Sequence, residues 1–210
     1  MKPNRLLIET PIVLTLTLGG VILLPQAKTL FFLLPIAYLL VERWIRKRSW
    51  AEIGFKFNTF WADLRANWGL ILLVGVVIQV VVIFWARAYF PEFLAHVAGR
   101  LPVSASALLM LLPVVAISLL GEELSYRSLF QGRLTPFLGL PLAVLVSSLA
   151  FGFAHFNPGP LNVVAVDIGL IILDSLIFGA IYARSGNILV AWLAHFLGDF
   201  IALVLMITLH

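Results

Sequence analysis

Side chains able to move protons sit inside long apolar stretches of this chain: Glu122 and Glu123 in SLLGEELSYRSLFQGRL, His155 in LAFGFAHFNPG, and His195 with Asp199 in HFLGDF. An ionised group at the centre of an apolar span costs about 2.5–3.5 kcal/mol even on the gentler scale, so two adjacent carboxylates there need a purpose. Arg127 follows Glu123 by four residues, on one helical face and with the acid N-terminal to the base, the favourable order for an intrahelical pair. Glu122 points about 100° away and stays outside that pair. A carboxylate so placed suits a general base; the plainer reading is a charge cluster that ends a helix. Phe151 precedes His155 by four residues, and His195 precedes Asp199 by four. A His–Asp pair one turn apart orients an imidazole or presents two polar groups to one atom, or else the two merely satisfy each other. Glu122, His155 and His195 fall on three separate apolar segments, and all three avoid lipid best by facing one interior. Either Glu122 acts as base on a water that His155 helps to bind, or the Glu and His groups hold a metal. Asp167 and Asp174 share a face seven residues apart, as partners for Arg127 or a histidine or as the lining of a wet cavity.

The elements that must carry these groups follow from composition. Of 210 residues, 62% are hydrophobic and 11% charged, with a mean hydropathy of +1.08. A soluble domain carries roughly 25% charged residues, so too few are present to cover a water-facing surface, and a bilayer removes that need. The expected fold is all-α, a polytopic transmembrane bundle of about seven helices over 6–24, 29–45, 67–86, 105–126, 140–156, 163–183 and 187–208. Spanning about 30 Å of hydrocarbon takes ~20 residues, and the second and fifth runs are short for it. Pro25, Pro91, Pro136, Gly139, Asn157-Pro158-Gly159-Pro160 and Gly186-Asn187 mark breaks. The chain divides into N-terminal helices over 1–104 and a helical core over 105–208, within one structural domain. Residues 44–68 hold Trp44, Trp50, Trp61 and Trp68 among basic residues, as an interfacial segment does.

Seven spans place eleven of the fourteen Lys and Arg on one side and leave Lys28, Arg87 and Arg100 on the other. This positive-inside bias sets the N-terminus in the cytoplasm, and a bacterial inner membrane fits it. The first run, preceded by Lys2 and Arg5 but interrupted by Glu9 and Pro11, reads as a retained helix rather than a cleaved leader. A net charge of +4 suggests nucleic acid only superficially, because the basic residues lie between apolar runs. With no cysteine, disulfides, zinc–thiolate sites and thiol nucleophiles are excluded.

At the polar residues the sequence resembles a known family, the CAAX-protease and bacteriocin-processing intramembrane peptidases, which include the Rce1-type prenyl-protein endopeptidases. EELSYR is similar to its EExxxR motif, FGFAH to FxxxH and HFLGD to HxxxN/D, in the family's order, and SGNILVAWLAH resembles the usual approach to the third. The resemblance covers roughly 105–205; Ser128 stands where many members carry Gly. It implies an intramembrane endopeptidase in which Glu122 is the general base, with His155 helping to activate water. His195 and Asp199 would stabilise the oxyanion, while Glu123 and Arg127, with Phe151 of the second motif, support the site. No cofactor is favoured; zinc is the alternative, held by Glu122, His155 and His195. The implied partners are the lipid bilayer and a membrane-associated peptide or protein substrate. Two other readings stand beside it: a non-catalytic immunity or signalling-regulator protein on the same fold, and an ion-coupled transporter. One conflict accompanies the shared site. Counted from their inner ends at ~1.5 Å per residue, Glu122, His155 and His195 differ in depth by roughly 10 Å.

Overall fold

A computed structural model describes residues 3–99 and 105–209, with side chains over 8–99 and 111–209. The side chains of Lys2, Arg5 and Arg100, and the expected 104/105 boundary, lie outside the described residues. Each apolar run forms helix, and the described residues contain no strand. The helices are α1 (Pro3–Leu23), α2 (Lys28–Ile45), α3 (Phe60–Leu72), α4 (Ile78–Tyr89), α5 (Pro91–Ala98), α6 (Ala105–Glu123), α7 (Gly132–Leu138), α8 (Leu140–Ala154), α9 (Leu161–Ser185) and α10 (Ile188–Thr208). Two π-helical stretches interrupt them: Leu73–Val77 joins α3 to α4, and Leu124–Gln131 joins α6 to α7.

Among the described residues, three helices are long and apolar enough to cross a membrane: Phe57–Tyr89, Leu161–Ser185 and Ile188–Thr208. Ile8–Leu23 and Pro25–Ile45 pass only together, bent by 116° at Leu24. Helix α8 has 15 residues, about 22 Å at 1.5 Å each, and falls short of a bilayer by itself. The surface is apolar, with Leu23, Leu30, Ile117 and Leu161 well exposed, while Glu123 and Arg127 are wholly buried. That inversion suits lipid as the surrounding solvent. The chain is an integral membrane protein.

The expected interfacial segment 44–68 is only partly a loop. Its second half, from Phe60, is the first turns of a helix that continues through the π turn to Tyr89, because nothing in FWADLRANWGLIL breaks helical geometry. The first half is folded tightly. Ser49 and Glu52 cap each other, the Ser49 N–H donating to the Glu52 carboxylate at 2.6 Å and the Glu52 N–H to Ser49 Oγ at 3.2 Å. The Ser49 hydrogen bonds hold the Glu52 carboxyl below the usual range. At Gly54 the backbone takes φ 103°, open to glycine without strain, and its carbonyl accepts the Ile188 N–H at 2.8 Å. A Cβ on Gly54 would also stand 3.2 Å from the Ile188 Cβ. Asn187 completes the lock. Its side chain caps α10 through the Leu189 N–H, and its Nδ2 donates to Lys56 O and Asp63 Oδ2, each at 2.9 Å. Lys56 Nζ donates to Ser185 O. The α9–α10 turn is therefore covered: Ile53, Asn187 and Ile188 are all fully buried.

Basic residues gather at this end of the bundle, with Arg46, Arg48 and Arg133 around Glu42 and Arg184 on the Ala66 carbonyl. Arg87 lies at the other end, donating to Leu209 O.

Candidate active site

Glu122 and Glu123 are the last residues of α6, immediately before the π stretch. All of Leu124–Gln131 is buried, and π turns recur at functional sites because the extra residue per turn re-aims side chains. Glu123 divides its carboxylate between two partners. Oε2 accepts from Arg127 Nε at 3.2 Å, the intrahelical pair expected from the spacing, and Oε1 lies 2.9 Å from His195 Nδ1. Arg127 Nη2 donates to Ser175 Oγ at 2.8 Å, and its guanidinium faces the Phe151 and Phe178 rings.

A carboxylate only accepts, so the His195 nitrogen facing Glu123 carries its hydrogen there. The ring is clamped as well as bonded, stacked on Phe178 at 4.6 Å between centroids and edge-on to Phe151 at 5.7 Å. Nε2 is thereby aimed away from Glu123, 3.9 Å from Asp199 Oδ1. His155 is the C-cap of α8, and its Nδ1 meets the Phe151 carbonyl at 2.8 Å. The carbonyl accepts, so Nδ1 donates, and neutral His155 is left with its lone pair on Nε2. That nitrogen stands 3.7 Å from Glu122 Oε2, a buried oxygen with no hydrogen-bond partner among the described residues.

Glu122, Phe151, His155, His195 and Asp199 line one cavity of about 380 Å³ whose remaining wall is largely apolar, including Leu170, Ile171, Phe196 and Met206. Glu123 and Arg127 lie behind it. The expected 10 Å mismatch in depth is absent. The helical rod carrying Glu122 runs on past Arg133 to Leu138, so Glu122 and His155 sit nearly equal distances from the Gly139 turn. The Gly186–Asn187 turn is covered by the 50–57 loop rather than lying open at the end of the bundle, with Asn187 fully buried and the Ile188 N–H on the Gly54 carbonyl.

Asp167 and Asp174 line the same cavity. Asp174 Oδ2 accepts from Gln79 Nε2 at 2.9 Å, and Asp167 Oδ2 is 3.5 Å from His96 Nε2. Neither Gln79 nor His96 stands out in the sequence reading. Gln79 is the lone polar residue of VVIQVVVI, a signal that was present; His96 lies in a stretch that reads as a break because of Pro91, Gly99 and Pro102. Among the described residues no group of three His, Asp or Glu side chains is arranged to hold a metal ion.

Residues 104–201, just under half of the chain, match the family model for Rce1-like proteins, described as Type II CAAX prenyl endopeptidase Rce1-like. This agrees with the resemblance carried by the three motifs, and the family is one of membrane proteases. No curated protein and no solved structure matches the chain.

Proposed function

We propose, taking residues 104–201 as Rce1-like, that this protein is an intramembrane endopeptidase of the glutamate type, hydrolysing a peptide bond of a membrane-associated substrate. The single observation that carries the reading is the pairing of Glu122 Oε2 with the lone-pair nitrogen of His155, 3.7 Å apart on the cavity wall. A water between them would donate one hydrogen to each acceptor, leaving its oxygen lone pair toward the cavity. Its oxygen attacks the scissile carbonyl carbon as Glu122 takes a proton, and the carbonyl π electrons move to oxygen. With a carboxylate near each ring nitrogen, His195 is read as carrying a hydrogen on both, and its Nε2–H donates to that oxyanion. Glu122 then returns the proton to the leaving nitrogen as the C–N bond breaks.

Asp199 takes a different part from the one the resemblance implies. A carboxylate repels an oxyanion, so beside His195 it serves to hold the imidazolium rather than to donate. The apolar lining suits a substrate with apolar side chains. The gathering of basic residues at the α2–α7 end supports a cytoplasmic N-terminus in a bacterial inner membrane, with peptide precursors or membrane tails as substrates.

Purified protein in proteoliposomes, assayed on a library of membrane peptides, tests the reading. Glu122→Gln is expected to lower turnover by about 10²–10⁴, the usual worth of a general base, with the protein still folded. Wild-type turnover in that variant would instead favour the immunity or regulator reading. Stoichiometric zinc, with activity lost to a chelator and restored by the metal, would replace the mechanism. Ion flux across the same vesicles that Glu122→Ala abolishes would point to transport.

A further inference from the structure

Far from the hydrolytic cavity along the chain, three guanidiniums converge on one buried carboxylate. Glu42 Oε1 pairs with Arg46 Nη1 at 2.8 Å, and Oε2 with Arg48 Nη1 at 3.2 Å and Arg133 Nη2 at 2.5 Å. Beside them lies a second cavity of about 650 Å³, lined by the three arginines with Ser128, Tyr182, Glu42 and Glu52. Arg133 is 6% exposed, and its Nη1 has no hydrogen-bond partner among the described residues.

Three guanidiniums and two carboxylates, those of Glu42 and Glu52, make up the charge of this cavity. Each guanidinium offers five N–H donors and no acceptor. Glu42 has spent its carboxylate on three of them, and Glu52 turns its own to the Ser49 N–H. Arg46 Nη2 reaches Glu9, and Arg48 Nη2 reaches the Glu52 carbonyl. Of the remaining donors, those on Arg133 Nη1 are buried with no hydrogen-bond partner among the described residues. A donor-lined space beside a buried, incompletely satisfied arginine takes an acceptor-rich anion, and planar guanidiniums match phosphate oxygens best.

The surroundings say where such an anion comes from. Trp44 is 77% exposed and Trp61 68%, and Arg43 stacks over Trp50 at 3.8 Å. Exposed tryptophans among basic residues belong to the headgroup layer of a bilayer. We propose that the Arg46–Arg48–Arg133 cavity is a binding site for the phosphate of a membrane-lipid headgroup. The site stands apart from the hydrolytic reading and is tested by binding alone.

Short-chain phosphatidylglycerol, titrated into the detergent-solubilised protein and followed by tryptophan fluorescence and native mass spectrometry, is expected to bind saturably. Arg48→Gln, at a partly exposed position, and Arg133→Gln should each weaken binding about tenfold, the worth of one charge-assisted hydrogen bond. Arg133 is buried and its variant could fail to fold, so Arg48→Gln with an unchanged melting temperature carries the comparison. Inorganic phosphate should compete only weakly, and diacylglycerol without a phosphate should not bind there. Equal affinity in Arg48→Gln, equal binding of diacylglycerol, or inorganic phosphate matching the lipid would each overturn the proposal.

Discussion

Glu123 is the residue on which the others depend, since one carboxylate holds both Arg127 and His195. Breaking a buried ion pair by removing one partner strands the other charge and costs on the order of 3–5 kcal/mol. Glu123→Gln is therefore expected to lower the melting temperature in detergent markedly, and Glu123→Gln/Arg127→Met together by less than the sum. Additive losses in thermal unfolding would refute the coupling. Asp199→Asn should act on turnover without acting on stability. The amide lacks the charge that holds the His195 imidazolium, so cleavage should fall in Asp199→Asn as it does in Asp199→Leu, while Asp199→Glu should keep part of it; side-by-side cleavage rates decide. The Glu123–Arg127 pair is legible in the sequence because a helix fixes what stands four residues away. The bond from Glu123 to His195 spans 72 residues, and only the packing of α6 against α10 creates it. The tautomer of His155 is likewise hidden from sequence, because it rests on a helix ending at Ala154, which sets the His155 ring against the Phe151 carbonyl.

At the scale of elements, helices are readable from their apolar runs, but their ends and relative depths are not. The seven runs mark where helix forms. They miss that the third begins seven residues early, that Leu124–Gln131 is π-helical, and that one turn is covered by a loop from the other half of the chain. Asn187 tests that last feature. Asn187→Ala removes the α10 cap and the ties to Lys56 and Asp63, and is expected to cost about 1–3 kcal/mol in detergent unfolding. Turnover should fall with it, because α10 carries His195. Gly75 tests the crossing of the Leu73–Val77 stretch with α10: a Cβ there would stand 2.8 Å from Leu197 Cδ2. Gly75→Val should therefore destabilise the bundle, while Gly69→Ala, with open space around it, should leave the melting temperature nearly unchanged.

For the whole molecule, composition alone was enough to say that lipid is the solvent, because so few charges cannot clothe a water-facing surface. The number of crossings is harder, since α1 and α2 pass the length test only as a bent pair and α8 is short for a bilayer. The covered α9–α10 turn carries a further consequence, one of timing. Its ties to Lys56 bridge 129 and 131 residues, so the loop that seals it leaves the ribosome long before the turn exists. Until α10 is made, Glu123 has no imidazole to hold and the sealing loop has nothing to seal. Under the proposed mechanism, a centre that needs α10 stays incapable of cutting until that helix has been made and inserted beside the others.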